Sequence, residues 1–294
     1  MGTPLSPQSD QPSSPPWSRH TVAAPQFGWC RQTLLLVVAL LAAGVTASQG
    51  AAIVIGGFSA ARAGDSSVVT GPYTQELRAS VVGANPGSIF KGLDSLTPAS
   101  LSGVDIVIVG SATVTAPGMT LSAAEQTALL NFIKAGHGAI IFVDNSDFSG
   151  GPNESFLDPF GIHASGKVQG NSTATSVAPN HFVMNGPFGE VTTFTTSYGG
   201  IFDDLGPNAL ALANYDVNGQ AALAAIAPGV LGAGSGGVVF IGDADALVDT
   251  AAGGQFHDTD NEKFILNAVR YVPEPSTGSL ACFAVVLLRR RRCA

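Results

Sequence analysis

The stretch from Val104 to Asn145 limits the fold more than any other part of the chain. "VDIVIVG" (104–110) is a continuous apolar run closed by glycine, which reads as a strand buried on both faces. Ser122 and Glu125 then make a capping box. Leu129, Leu130 and Ile133 recur on one helical face, and Gly136 stands where a helix C-cap belongs. "GAIIFVDN" (138–145) is a second buried strand. Strands joined through one helix in this way run parallel, with a right-handed crossover. An all-helical or purely antiparallel fold is thereby excluded.

The same pattern extends in both directions. "AAIVIGGF" (51–58) reads as a buried parallel strand, and "PYTQELRASVVGA" (72–84) as a helix with Pro72 in its first turn and Leu77, Val81 and Val82 inward. "SIFKGL" (88–93) holds a short strand, and "GGVVFIGDADA" (236–246) another that ends in Gly-Asp. "TDNEKFILNAVRYV" (259–272) is a last helix, with Thr259 and Glu262 as a second capping box. Phe264, Ile265, Ala268, Val269 and Val272 form its buried face. Residues 165–228 differ: "EVTTFTT" is Thr-rich and alternating, and "ALALANY" and "AALAAIAP" flank the turn "DVNGQ". The expected fold is α/β, a mostly parallel flavodoxin-like sheet with flanking helices and a small antiparallel extension.

The ends have another character. Residues 1–28 are rich in Ser, Pro and Gln and lack core-forming residues. Arg31, "TLLLVVALLAAGV" and "TASQGAA" then read as a secretory signal peptide. Val45-Thr46-Ala47 and Gly50-Ala51-Ala52 both suit cleavage, and an uncut membrane anchor is the competing reading. The tail runs "VPEPST", then an apolar stretch from Gly278 to Leu288, then Arg289, Arg290, Arg291 and Arg292. As a helix that stretch would reach about 16 Å, against a hydrocarbon core of about 30 Å. The arginines would hold its end on the cytoplasmic side. Three segments are expected: leader and signal peptide (1–50), α/β domain (51–272) and C-terminal sorting signal (273–294), with short membrane-directed helices at both ends. Cys30, Cys282 and Cys293 all lie outside the central segment. That segment has seven Lys and Arg against nineteen Asp and Glu, a net charge of −12, which excludes a nucleic-acid partner.

In order and position, "VPEPST", apolar stretch and arginine cluster resemble the PEP-CTERM sorting signal. The resemblance covers about the last 22 residues, and the apolar stretch is shorter than is usual for that family. It implies export by the general secretion machinery, transient membrane association of the tail, and recognition of Pro273, Glu274 and Pro275 by an exosortase. The arginines would act as the stop. It also implies a destination at the cell surface, envelope or extracellular matrix, with an association with exopolysaccharide. The central segment resembles the class I glutamine amidotransferase-like fold. The closer likeness is to non-catalytic members, such as trehalose-utilisation-type domains and the middle domain of some β-galactosidases. "VDIVIVGS", "LLNFIKAGHGAIIFVDN", "APNHFVMNGPFG", "GGVVFIGDAD" and "DNEKFILNAVRYV" carry it.

The amidotransferase family places a cysteine at a strand-to-helix elbow, where the helix start lowers its pKa. Here "GAIIFVD" runs into Asn145 and Ser146, and residues 51–272 contain no cysteine, so glutaminase chemistry is not expected. Ser146 and Ser149 lack a nearby His partner, and the serine of "GAGSGG" (232–237) precedes a strand, whereas an elbow follows one. His137 stands at a helix C-terminus, where the dipole favours a cation. His163 and His257 have no zinc spacing. His181, in a shaped loop, is a ligand-binding candidate. Asp144 and Asp147 follow one strand and Asp243 and Asp245 another, so all four belong on the rim where open parallel sheets bind ligands. Asp144, Asp243 and Asp245 are the candidate Ca²⁺ or Mg²⁺ ligands. Asp258, Asp260 and Glu262 make a weaker acidic phrase. Helix capping is the competing role for all of these acids. No other cofactor is called for. The expected function is an exported, exosortase-sorted surface protein with a non-enzymatic binding or structural domain, with polysaccharide as a possible partner. The alternatives are a glycan hydrolase using Asp144 and Asp243, or a cation-dependent adhesion module.

Overall fold

The computed structural model describes residues 52–111 and 119–271. The signal peptide and the sorting signal with its arginines lie outside the described residues, as do the membrane-directed helices expected there. Among the described residues no helix is long and apolar enough to cross a membrane.

The fold begins with β1 (Val54–Phe58), α1 (Ala60–Ala63), α2 (Gln75–Ala84), β2 (Ile89–Leu93), β3 (Ile106–Gly110), α3 (Ala123–Lys134) and β4 (Gly138–Phe142). Next come α4 (Ser146–Leu157), β5 (His163–Ser165), β6 (Asn171–Ser176), β7 (Asn185–Gly186), β8 (Gly189–Glu190), β9 (Thr193–Ser197) and β10 (Ile201–Asp204). The chain then forms β11 (Ala209–Tyr215), β12 (Ala221–Ile226), β13 (Val238–Ile241) and α5 (Asn261–Arg270). Eleven strands share one sheet, whose main path runs β2-β1-β3-β4-β13-β12-β11-β6-β9. The first five run parallel, as expected, and everything beyond β13 is antiparallel. β10 and β5 also join the sheet, antiparallel, off this path. The extension is therefore larger than the sequence suggested, because β5, β6 and β10 carry no apolar run.

Alternation along the central strands explains the layers. Ile106, Ile108, Ile140 and Phe142 pack on one face with Leu77 and Val81 of α2 and Phe264, Ile265 and Ala268 of α5. Val107, Val109, Ala139 and Ile141 pack on the other with Leu129, Phe132 and Ile133 of α3 and Phe156 and Leu157 of α4. Each large side chain buried this way contributes about 1.5–3 kcal/mol by leaving water. β3 and β4 approach so closely that a Cβ on Gly110 would fall well inside van der Waals contact of Phe142 O. We expect Gly110→Ala to cost about 3 kcal/mol through overpacking against rigid backbone; a chemical unfolding midpoint equal to wild type would refute this.

The α3 capping box forms as expected, with Ser122 and Glu125 bonded reciprocally. The second box does not. α5 starts at Asn261 after Asp260, with no side-chain cap, and Thr259 adopts φ 46°. Glu262 instead accepts from Ser80 Oγ at 2.6 Å and faces His257 Nδ1 at 3.0 Å. Val82 points outward. α4 had no sequence signal, since "SDFSGGPNESFL" lacks an apolar repeat and contains Pro152. Asn145 starts it, its side chain accepting from Asp147 N at 3.1 Å.

The two ends of the sheet path differ. No strand pairs with the outer side of β2 among the described residues. Four outward backbone groups of β9 are taken by side chains. Thr193 N donates to Asp260, and Thr195 N donates to Asn261 Oδ1 at 2.9 Å. Asn261 Nδ2 donates to Thr195 O at 2.9 Å, and Ser197 N donates to Asp243. Asn261 thus stands in for the peptide unit of a missing neighbour strand.

Candidate functional site

Three of the four rim carboxylates come together. Phe142 of β4 pairs with Ile241 of β13, and Asp144 and Asp243 each follow two residues later. Equal offsets on adjacent parallel strands set them side by side, at about the 4.8 Å strand spacing. Asp245 joins them from the turn after β13. Asp147 does not: it lies in the first turn of α4, exposed, in an ion pair with Lys167.

The group is closed from above. The chain between β9 and β10 crosses the end of β13, where Gly200 N donates to Gly242 O at 2.7 Å. Tyr215 Oη, fully buried, donates to Gly200 O at 3.0 Å. A Cβ on Gly200 would lie 2.8 Å from Asp144 O, and one on Gly199 would collide with Tyr215 Oη. Only a glycine pair can lie this close. β10 and β5 then fill the lane beyond β13 in which an open sheet would bind a ligand.

Asp243 is 0% exposed. One carboxylate oxygen accepts from Asp245 N at 2.9 Å and the other from Ser197 N. Burial, reinforced by Asp245 and offset by these hydrogen bonds, pushes its carboxyl well above the usual range. Burial raises Asp144 to about 7, against the hydrogen bond from Asn145 N and with the help of Asp245. Burial also raises Asp245 and, aided by Asp243, the Tyr215 phenol. Burial thus disfavours the charged form of all three carboxyls. Among the described residues no group of three or more His, Cys, Asp or Glu side chains is arranged to hold a metal ion.

His181 sits at the opposite end of the sheet. Its Nδ1 accepts from Val183 N at 3.3 Å, so Nε2 carries the proton and donates to Tyr271 Oη at 3.1 Å. Tyr271 packs over Gly237, just before β13. Six residues of extended chain, about 20 Å, separate that point from Asp243. Burial lowers the pKa of His181. It shapes its loop and does not converge with the acids.

The other sequence candidates have structural partners. His163 Nδ1 meets Asp203 at 2.7 Å, and His137 stacks on Phe132. Ser235 is buried and accepts from Gly229 N at 3.1 Å. Asp260 caps Thr192 and pairs with Lys263 at 2.6 Å.

An open concavity lies elsewhere, beyond the ends of β1, β2 and β3. This is the point where the strand order reverses, the usual ligand crevice of doubly wound sheets. It has a volume of about 580 Å³ and is lined by Arg62, Asp94, Thr97, Thr120 and Glu125, among others. Arg62 pairs with Glu125 at 2.5 Å and lies 3.9 Å from the centre of the Phe58 ring. Although burial opposes it, hydrogen bonds from Arg62, Ser122 and Leu96 hold the Glu125 carboxyl down at about 2. Sequence reading missed this cleft. Glu125 was visible only as a cap, and its partner stands 63 residues away.

No family model and no curated protein sequence matches the chain. Among solved structures it is similar to the mmIFT52 N-terminal domain, with a TM-score of 0.53 and 14% identity over 76% of this chain and 97% of that one. It is also similar to a cytoplasmic protein from Salmonella typhimurium, with a TM-score of 0.49 and 11% identity over 76% of this chain and 99% of that one. A β-galactosidase from Rahnella sp. R3 matches with a TM-score of 0.43 and 17% identity, over 82% of this chain and 34% of that one. The first likeness concerns the fold alone; the other two are too distant to argue from.

Proposed function

We propose that this chain is an exported protein, sorted by an exosortase to the cell surface or extracellular matrix, whose α/β domain binds or scaffolds without catalysing a reaction. The observation that carries the non-enzymatic reading is the closed rim. Asp243 is fully buried beneath the Ser197–Gly200 segment, and the turn from β4 into α4 carries Asn145 and Ser146 and no cysteine. The likeness to the amidotransferase fold is one of arrangement, supported by the parallel strand order. A glycan hydrolase using Asp144 and Asp243 would need an opening to both carboxyls, which the glycine pair fills. The open cleft around Arg62 and Asp94 is the surface such a domain would offer a ligand. The destination is argued from the two terminal signals.

The test is expression of the full-length chain in cells with and without an exosortase. With the enzyme, the protein is expected outside the cell and lacking Arg289–Arg292, and Glu274→Ala is expected to block that release. Recovery of the intact arginine tail outside exosortase-bearing cells, or retention in the cytoplasm, would overturn the proposal.

A further inference from the structure

We propose that the aromatic patch of His181, Phe182 and Tyr271 is the docking surface for the chain's own Val272–Ser276 segment, and that it holds Pro-Glu-Pro against the domain. Phe182 is 43% exposed although it stands between the half-buried His181 and two residues, Val183 and Met184, with no exposure at all. The backbone around it is firmly tied. His181 N donates to Ala178 O at 2.9 Å, Met184 N to His181 O at 2.8 Å, and Asn267 Nδ2 to Val183 O at 3.1 Å. The Phe182 ring is thus presented outward by a fixed loop. It lies 6.2 Å from the Tyr271 ring with 28° between their planes, and the His181 ring lies 5.0 Å from Tyr271 on the same patch. Beside them, a Cβ on Gly237 would be 2.5 Å from Tyr271 Cε1 and 3.4 Å from Pro228 Cδ, so Pro228 borders the same surface. A proline beside rigid aromatic rings is the kind of lining on which polyproline II segments dock.

The occupant follows from where the chain goes next. Tyr271 is both a member of the patch and the residue immediately before Val272-Pro273-Glu274-Pro275. α5 has already ended at Arg270. Val272 precedes a proline and is biased away from helix, and Pro-x-Pro is pre-set for the polyproline II conformation. Because the segment is attached at the patch itself, its effective concentration there is high and little ordering is left to offset. The contact belongs to the unprocessed chain. It deepens the sorting proposal, on which only its biological meaning rests, by keeping the motif folded back until an enzyme draws it away. The contact itself needs no enzyme, so it stands or falls separately.

The test places the photo-reactive p-benzoyl-phenylalanine at position 182 of the detergent-solubilised full-length protein. Irradiation is expected to give a monomer-sized product whose mass-mapped cross-link falls within residues 272–277. The same probe at Val217, exposed on the β11–β12 turn, should give none to the tail. Replacing Pro273 and Pro275 by glycine should lower the yield about tenfold, because the segment loses its pre-set conformation. Phe182 is outside the core, so the probe-bearing protein should unfold like wild type. Cross-links between chains would identify a second copy as the occupant and overturn the proposal. Cross-links to any other segment, or none, would overturn it too.

Discussion

Acidification from about pH 7.5 to about pH 5 is expected to stabilise this domain. Asp144 titrates at about 7 in the folded protein, Asp243 well above the ordinary range, and Asp245 above it as well. In the unfolded chain all three titrate at about 3.9. Between about pH 4 and pH 7 the folded state therefore holds protons that the unfolded state has released. Stability must then fall as pH rises through that window and recover as pH falls. One proton corresponds to about 1.4 kcal/mol per pH unit, so Asp144 alone contributes on the order of 4 kcal/mol across the window. Below about pH 4 the trend reverses. Glu125, held at about 2 by Arg62 and backbone donors, then loses the contribution it makes only when ionised. Urea unfolding at a series of pH values measures this directly. A midpoint that stays level or drops between pH 7.5 and pH 5 would show that the carboxyls are not buried together. In Asp144→Asn the slope should be shallower.

Asn261→Ala is expected to cost about 3–5 kcal/mol, the largest effect of a single truncation that removes almost no apolar surface. Asn261 is 0% exposed. Its amide donates to Thr195 O and to Gln255 O, both at 2.9 Å, and its carbonyl accepts from Thr195 N at 2.9 Å. Alanine leaves three backbone groups without partners, each at about 1–3 kcal/mol. Asn261→Asp makes the reason testable. It keeps the acceptor and loses the donor, setting a carboxylate against two carbonyl oxygens, so it should be severe at pH 7 and milder in acid. If alanine costs less than about 1 kcal/mol in equilibrium unfolding, the substitution of a side chain for a strand is not what closes that edge.

These expectations separate what could be read in advance from what could not. The parallel half of the fold was legible because β3, α3 and β4 announce themselves locally, by apolar runs, a cap and a glycine stop. The α4 helix was not. Its start depends on Asn145, and its hold depends on Asn153, whose side chain bonds both Asp144 N and Ser111, the latter 42 residues away in sequence. β6 and β9 are strands of Ser, Thr and Asn with one inward residue each of real bulk or none, so period-two hydrophobicity was too faint to place β6. Thr259 and Glu262 had the right spacing for a cap, but His257 and Ser80 claim the glutamate. The Asp144, Asp243 and Asp245 rim was foreseeable from strand ends alone. Its closure was not, because "YGG" at 198–200 looks like any flexible turn until Tyr215 and Gly242 are seen beneath it.

The unequal borders of the sheet have a consequence for assembly. A border whose hydrogen-bonding groups are already engaged by Asp260, Asn261 and Asp243 cannot template a neighbouring copy, whereas the border at β2 can. Of the two ends of the main strand path, edge pairing with another copy is therefore expected at β2 and not at β9.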